Sequence, residues 1–108
     1  MVLRVRTDVV LEGKDGTPLL DPERFRILKY VRATGSISKA AKRMRIPFRG
    51  VWSKLKALEN ECGFKILMRS PTGSRLTEEC EGLYCRYEEL SKSCERSAKS
   101  KFRKIFGT

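Results

Sequence analysis

The run Gly35-Ser36-Ile37-Ser38-Lys39-Ala40-Ala41-Lys42-Arg43-Met44-Arg45-Ile46-Pro47-Phe48-Arg49-Gly50-Val51-Trp52-Ser53-Lys54-Leu55-Lys56-Ala57-Leu58-Glu59 holds two helix-forming stretches separated by a break. Ser36 is a side-chain cap for a first helix over Ile37 to Arg43, in which Ala40 and Ala41 are small enough for another helix to cross closely. Met44-Arg45-Ile46 supplies a turn, and Pro47 suits the first turn of a second helix that runs to about Cys62. On that helix Val51, Trp52, Leu55 and Leu58 fall within about 120° of arc at 100° per residue, which defines the face expected to be buried. The opposite face carries Arg49, Gly50, Ser53, Lys56 and Ala57, with Lys54 on the flank. A capped short helix, a tight turn and a second helix that is apolar on one side and cationic on the other make a helix-turn-helix. Such a second helix can enter a major groove, and double-stranded DNA is the leading expected partner.

The flanks extend the pattern. Upstream, residues 3 to 11 alternate, with Leu3, Val5, Thr7, Val9 and Leu11 on one side and Arg4, Arg6, Asp8 and Val10 on the other, as in a half-buried strand. Gly13-Lys14-Asp15-Gly16 reads as a turn and Thr17 to Leu20 as a short return strand. Asp21-Pro22 then starts a helix, expected over residues 22 to 33 with Phe25, Leu28 and Val31 inward, and Gly35 ends it. Downstream, Gly63 stops the second helix of the motif. Phe64 to Arg69 and Arg75 to Thr77 form two strands around the turn Pro71-Thr72-Gly73-Ser74, a short basic hairpin able to reach a minor groove or the flanking backbone.

Thr77 caps a last helix with Glu78, Glu79 and Glu81 in its first turn, where carboxylates favour the positive end of the helix dipole. The helix is expected to reach about Phe106, with fraying over the basic, serine-containing stretch from Ser91 to Lys104. Cys80, Leu83, Tyr87, Leu90 and Cys94 recur at spacings of 3, 4, 3 and 4, a coiled-coil-like stripe suited to a second copy of the chain or to the chain's own domain.

Composition sets the outer bounds. The 108 residues suit one small domain, which gains stability when a partner subunit adds contacts. The 24 basic and 13 acidic residues give a net charge of +11, a field that attracts polyanions. No apolar run reaches the roughly 20 residues needed to span a bilayer, and the first six residues lack the apolar core of a signal peptide, so no membrane partner and a cytoplasmic, nucleoid-associated location are expected. The sparing use of amides, with Asn60 the only asparagine, accords with thermophilic chains.

Catalytic and metal chemistry find little to work with. Histidine is absent, there is no phosphate-binding loop, and no carboxylate pair is placed together, so neither an enzyme nor a cofactor is expected. Cys62, Cys80, Cys85 and Cys94 form no Cys-x-x-Cys pair. On one helix Cys85 would lie roughly 140° to 180° from Cys80 and Cys94, so these thiols cannot converge on one ion and act as small apolar fillers, with redox sensing as the functional alternative.

The residues able to contact DNA follow from these placements. Arg49, near the amino end of the second helix, suits a bidentate contact to guanine O6 and N7; Gly50 permits close approach, and Ser53 can meet a base edge or a phosphate. Lys54 and Lys56 suit phosphates or a solvated helix face. Ser36, Ser38 and Lys39 sit at a helix start whose free N–H groups favour a phosphate, although Ser36 serves equally as a cap. Arg69, Thr72, Ser74 and Arg75 belong to the hairpin. Trp52, between Val51 and Leu55, is expected to be scaffold.

These residues resemble two families. Gly35-Ser36-Ile37-Ser38-Lys39-Ala40-Ala41-Lys42, then Trp52, resembles the N-terminal winged-helix domain of ModE-type molybdate-responsive repressors, which also begins with a strand. Leu58-Glu59, Glu61, Gly63-Phe64-Lys65-Ile66-Leu67 and Arg69, followed by Arg75-Leu76-Thr77, is similar to the equivalent stretch of LysR-type regulators. The resemblance covers roughly residues 3 to 95. It implies a dimeric transcription regulator that docks two winged helices on a palindromic or pseudo-palindromic site, with the terminal helix contributing to dimerisation. Pro47-Phe48 departs from the Ser-Tyr of the ModE pattern and removes a capping hydroxyl, and the wing lacks that family's longer glycine-rich insertion. With Thr108 as the last residue no molybdate-binding domain is expected, so oxyanion sensing is not carried over.

The expected architecture is α+β, mainly α. Residues 1–76 form a winged helix-turn-helix with an N-terminal strand, the recognition helix at about 47–62 and the wing at about 64–77; residues 77–108 form a long C-terminal dimerisation helix. The expected function is a DNA-binding transcriptional regulator acting as a homodimer. The alternative is an architectural, chromatin-type protein that coats DNA through phosphates with little sequence preference, and a protein-binding adaptor is a third class.

Overall fold

The computed structural model describes residues 1–107; Thr108, the last residue of the expected C-terminal element, lies outside them. In chain order the elements are β1 (Leu11–Glu12), β2 (Pro18–Leu20), α1 (Pro22–Thr34), α2 (Ile37–Met44), α3 (Phe48–Cys62), β3 (Leu67–Ser70), β4 (Gly73–Leu76) and α4 (Glu78–Phe106). The expected winged helix-turn-helix is the fold observed.

Local chemistry accounts for most element boundaries. The Asp21 carboxylate accepts the Arg24 N–H at 2.8 Å, the Ser36 hydroxyl accepts that of Lys39 at 3.1 Å, and the Thr77 hydroxyl accepts that of Cys80 at 3.2 Å. Each occupies an otherwise orphaned donor of a first helical turn. Gly35 and Gly63 end α1 and α3 in the left-handed region. Arg45 does the same for α2 at φ 57, although it carries a Cβ, and its N–H is satisfied by the carbonyls of Ala41 and Lys42. Pro47 precedes α3 rather than opening it, and no side chain caps that helix. The missing capping hydroxyl of the sequence is thus missing in space.

The core is assembled from all four helices and the hairpin. Ile27, Leu28 and Val31 of α1 meet Ile37, Ala40 and Ala41 of α2, then Val51, Leu55 and Leu58 of α3; Leu20, Ile66, Leu76, Cys80, Tyr84 and Tyr87 complete it. Burying a large apolar side chain contributes roughly 1.5–3 kcal/mol, so this cluster carries the helix-turn-helix geometry. Phe25, expected inward, is half-buried and stacks on Tyr84 at 4.6 Å between centroids and against Tyr87 at 4.9 Å, which joins α1 to α4. Ile27 takes the fully buried place instead. The Arg32 guanidinium reinforces the same joint, with its Nε 2.9 Å from the Glu81 carboxylate and its Cζ 4.8 Å from the Tyr84 ring centre.

Three expectations change. Residues 3 to 10 belong to no sheet, since β1 reduces to Leu11–Glu12 paired with β2. The return strand is only three residues long before the chain turns at Asp21-Pro22, which leaves no backbone to pair with the upstream segment. Its alternation is realised against α4: Val5, Thr7 and Val9 are half-buried while Arg6, Asp8 and Val10 are exposed, and the Tyr87 hydroxyl donates to the Val9 carbonyl at 2.6 Å. The inward stripe of α4 also differs from the heptad reading. Cys80, Tyr84 and Tyr87 are the buried positions, Leu83 is half-buried and Leu90 is exposed, because α1 sets which face the first three turns present. The stretch from Ser91 to Lys104 is continuous helix, closed by Gly107 at φ 74.

The hairpin is compact. β3 and β4 pair in register from Leu67 with Leu76 to Ser70 with Gly73, so Pro71 and Thr72 alone form the tip. Three hydrogen bonds close its root and pin it to the helices. Ser74 N–H donates to the Gly35 carbonyl at 2.8 Å, Thr77 N–H donates to the Ile66 carbonyl at 2.9 Å, and Ile66 N–H donates to the Glu59 carboxylate at 3.1 Å.

Candidate nucleic-acid interface

The start of α2, the start of α3 and the hairpin tip converge on one side of the molecule. They enclose an open groove of about 350 Å³ whose walls include Ser36, Ser38 and Lys39 on one side and Arg69, Thr72 and Ser74 on the other, with Phe48 between them. The hydrogen bond from Ser74 to Gly35 holds the two walls together. Gly73 makes that approach possible: at φ 138 its α-carbon lies so near the helix turn that a Cβ would sit 2.6 Å from the Gly35 carbonyl oxygen.

Each expected contact residue has a definite place. Ser36 spends its acceptor on the α2 cap, whereas Ser38 and Lys39 are exposed beside it. Arg49 and Ser53 are exposed on α3, and Gly50 is half-buried with open space where a Cβ would stand. Thr72 is tied into the tip by a 2.9 Å hydrogen bond between its hydroxyl and that of Ser70. Arg75 lies opposite Met68 in the hairpin, and its side chain is exposed. Among the described residues, neither Arg49 nor Arg75 has a carboxylate within ion-pair distance.

The two lysines of α3 are engaged within the chain. Lys54 Nζ lies 2.9 Å from the Glu23 carboxylate of α1, and Lys56 Nζ lies 3.3 Å from Glu59. The backbone N–H of Ile66, with Lys56 adding to it, holds the Glu59 carboxyl below the usual glutamate range. Glu59 therefore anchors the hairpin root as an anion.

Trp52, expected on the buried face, is only half-buried. Its ring lies nearly parallel to that of Phe48, at 9° and 6.5 Å between centroids. Lys56 Nζ approaches it to 4.9 Å and the Arg69 guanidinium to 5.4 Å, distances of cation–π contact. Trp52 thus links the recognition helix to the wing, a role that helical periodicity cannot reveal because Arg69 comes from a different element.

The cysteines do not form a centre. All four are free; Cys80 is fully buried, and desolvation pushes its thiol up to about 12. Among the described residues no group of three or more His, Cys, Asp or Glu side chains is arranged to hold a metal ion. No described helix is long and apolar enough to cross a membrane.

Comparison with known proteins agrees with this geometry. Residues 22–81, which run from the start of α1 into α4, match the bacterial regulatory helix-turn-helix proteins of the lysR family. The transcriptional regulator ModE of Haemophilus influenzae is 31% identical over 84 residues, an alignment that takes in 72% of this chain and 32% of ModE. The chain thus spans about a third of that relative's length. Among solved structures, the CbnR_DBD–DNA complex is similar with a TM-score of 0.65 at 22% identity, covering 76% of this chain and 94% of the CbnR_DBD chain. The BenM_DBD/benA site 1 DNA complex is similar with a TM-score of 0.66, also at 22% identity, covering 79% of this chain and 96% of the other. With a family match across more than half its residues and a winged fold shared with these structures, the chain belongs to the LysR family of bacterial regulatory helix-turn-helix proteins.

Proposed function

We propose that this chain is a sequence-specific DNA-binding transcriptional regulator that acts as a homodimer in the cytoplasm, associated with the nucleoid. The observation that carries the reading is the groove itself, where the start of α2, the head of α3 and the wing tip face one side with a net charge of +11 behind them. In this reading residues 1–76 are the DNA-binding unit and residues 77–108 the dimerisation element. α3 lies in the major groove, Arg49 reads a guanine, Gly50 lets the backbone approach, and Ser53 meets a base edge or phosphate. Ser36, Ser38 and Lys39 hold a phosphate at the start of α2, while Arg69, Thr72, Ser74 and Arg75 reach the flanking groove or backbone. Lys54 and Lys56 exchange their carboxylate partners for phosphates, an exchange that costs little because exposed ion pairs contribute about 0–1 kcal/mol.

Support for a dimer comes from what α4 leaves uncovered. Leu90, Ile105 and Phe106 are 43%, 75% and 57% exposed, and Val2, Leu3 and Val10 of the neighbouring N-terminal segment are exposed as well. Large apolar side chains left exposed along α4 and beside it suit a second copy of the chain.

A second reading, an architectural protein with little sequence preference, is favoured by the run of Lys92, Arg96, Lys99, Lys101, Arg103 and Lys104 along α4. Selection of bound fragments from random genomic duplexes, at low and moderate salt, separates the two. A regulator recovers a recurrent two-fold-symmetric motif that persists at moderate salt. Uniform recovery with a steep salt dependence would establish the architectural role instead.

A further inference from the structure

Phe48 is an exposed aromatic residue with no structural reason to be exposed. The residue is 45% exposed, although it is the first of α3 and borders the groove between α2 and the wing. Apart from Phe48 and Met68, the large exposed apolar side chains lie on the N-terminal segment or α4. Of these, Phe48 alone stands at the head of α3, where the groove walls carry mostly hydroxyls and cations.

The ring also has a defined aromatic neighbour. Pro47 fixes the chain entering α3 at φ −61, and the Trp52 ring one turn later lies nearly parallel to Phe48. Trp52 is in turn bracketed by Lys56 and Arg69. A positioned phenyl ring cannot exchange hydrogen bonds with a base edge, so its partner in a major groove must be apolar. The C5-methyl group of thymine is the apolar group that base pairs present there.

We propose that Phe48 is a specificity-determining residue that packs on the C5-methyl group of a pyrimidine, thymine in unmodified DNA, at the base pair beside the one contacted by Arg49. This inference rests on the proposed docking of α3 in a major groove. Arg49 then supplies the polar half of the readout and Phe48 the apolar half.

Replacing thymine with deoxyuridine removes the methyl group and leaves base pairing intact. With the full chain and the duplex motif recovered by selection, each thymine is replaced in turn and Kd measured. One position should weaken binding by about 3- to 5-fold, the scale expected for one buried methyl group. Phe48→Ala should bind the thymine site more weakly and lose the uracil penalty at that position, whereas Phe48→Leu, which keeps apolar bulk, should retain part of it. Because Phe48 lies outside the buried core, both variants should keep the wild-type fold by circular dichroism, with only a small drop in midpoint from the lost Trp52 contact. A wild-type protein indifferent to uracil at every position overturns the inference while leaving α3 docking intact, as does a uracil penalty unchanged in Phe48→Ala. Failure to recover any motif overturns the docking and this inference together.

Discussion

Gly73→Ala places a methyl group where the backbone leaves no room. At φ 138 an L side chain is strained, at a cost of about 1–3 kcal/mol. The added Cβ would also lie 2.6 Å from the Gly35 carbonyl oxygen, a backbone atom that cannot swing aside. Moving the hairpin away to relieve the contact breaks the Ser74 to Gly35 hydrogen bond, worth about 0.5–1.5 kcal/mol, and loosens the cover over Ile66 and Leu76. Together these give a loss of about 2–4 kcal/mol, which in a domain of this size lowers the melting midpoint by roughly 8 °C or more. Urea and thermal unfolding followed by circular dichroism measure it directly. Gly82→Ala is the matched control, because a Cβ there meets nothing within 4 Å on α4 and should stabilise by about 0.5–1 kcal/mol. A Gly73→Ala protein as stable as the wild type would show that the wing is not packed on the α1–α2 turn as described.

Arg49→Ala should weaken binding to a cognate site by about 1–3 kcal/mol and leave random duplex nearly unaffected in titrations; equal losses on both would remove it as a base reader. Leu90→Asp with Ile105→Asp should raise the dimer dissociation constant by about 100-fold or more in sedimentation without changing the fold, since both side chains are exposed in the single chain; an unaltered dimer would place the interface elsewhere. Leu83 is unsuitable for that test because it packs against the core. Glu59 has a folded-state pKa below its unfolded value near 4.5, so its stabilisation is complete above that value and is lost as pH falls through the lowered one. Asp15 and Glu95 shift in the same direction, so the informative quantity is the difference between wild type and Glu59→Gln. That difference should be on the order of 1 kcal/mol at neutral pH and shrink in acid; a gap constant with pH would mean that the Glu59 charge does not anchor the hairpin.

What the sequence determined by itself is the set of elements and where most of them start and stop. Asp21-Pro22, Ser36 and Thr77 satisfy the first donors of their own helices, and Gly35 and Gly63 close theirs, through bonds that span only three or four residues. The buried positions Val51, Leu55 and Leu58 follow from helical period alone, which is why α3 and its outward face are legible in the sequence. Tertiary structure decided the rest, because those contacts join residues far apart in the chain. The alternating N-terminal segment found α4 rather than a strand once Tyr87 reached Val9, 78 residues away. Lys54 met Glu23, Arg32 met Glu81 across 49 residues, and Trp52 was drawn half out of the core between Phe48 and the Arg69 of the wing. Caps and periodicity act within a turn or two of helix; which face of α4 turns inward, and which glycine lets the wing touch the helix turn, depend on packing that no local pattern encodes.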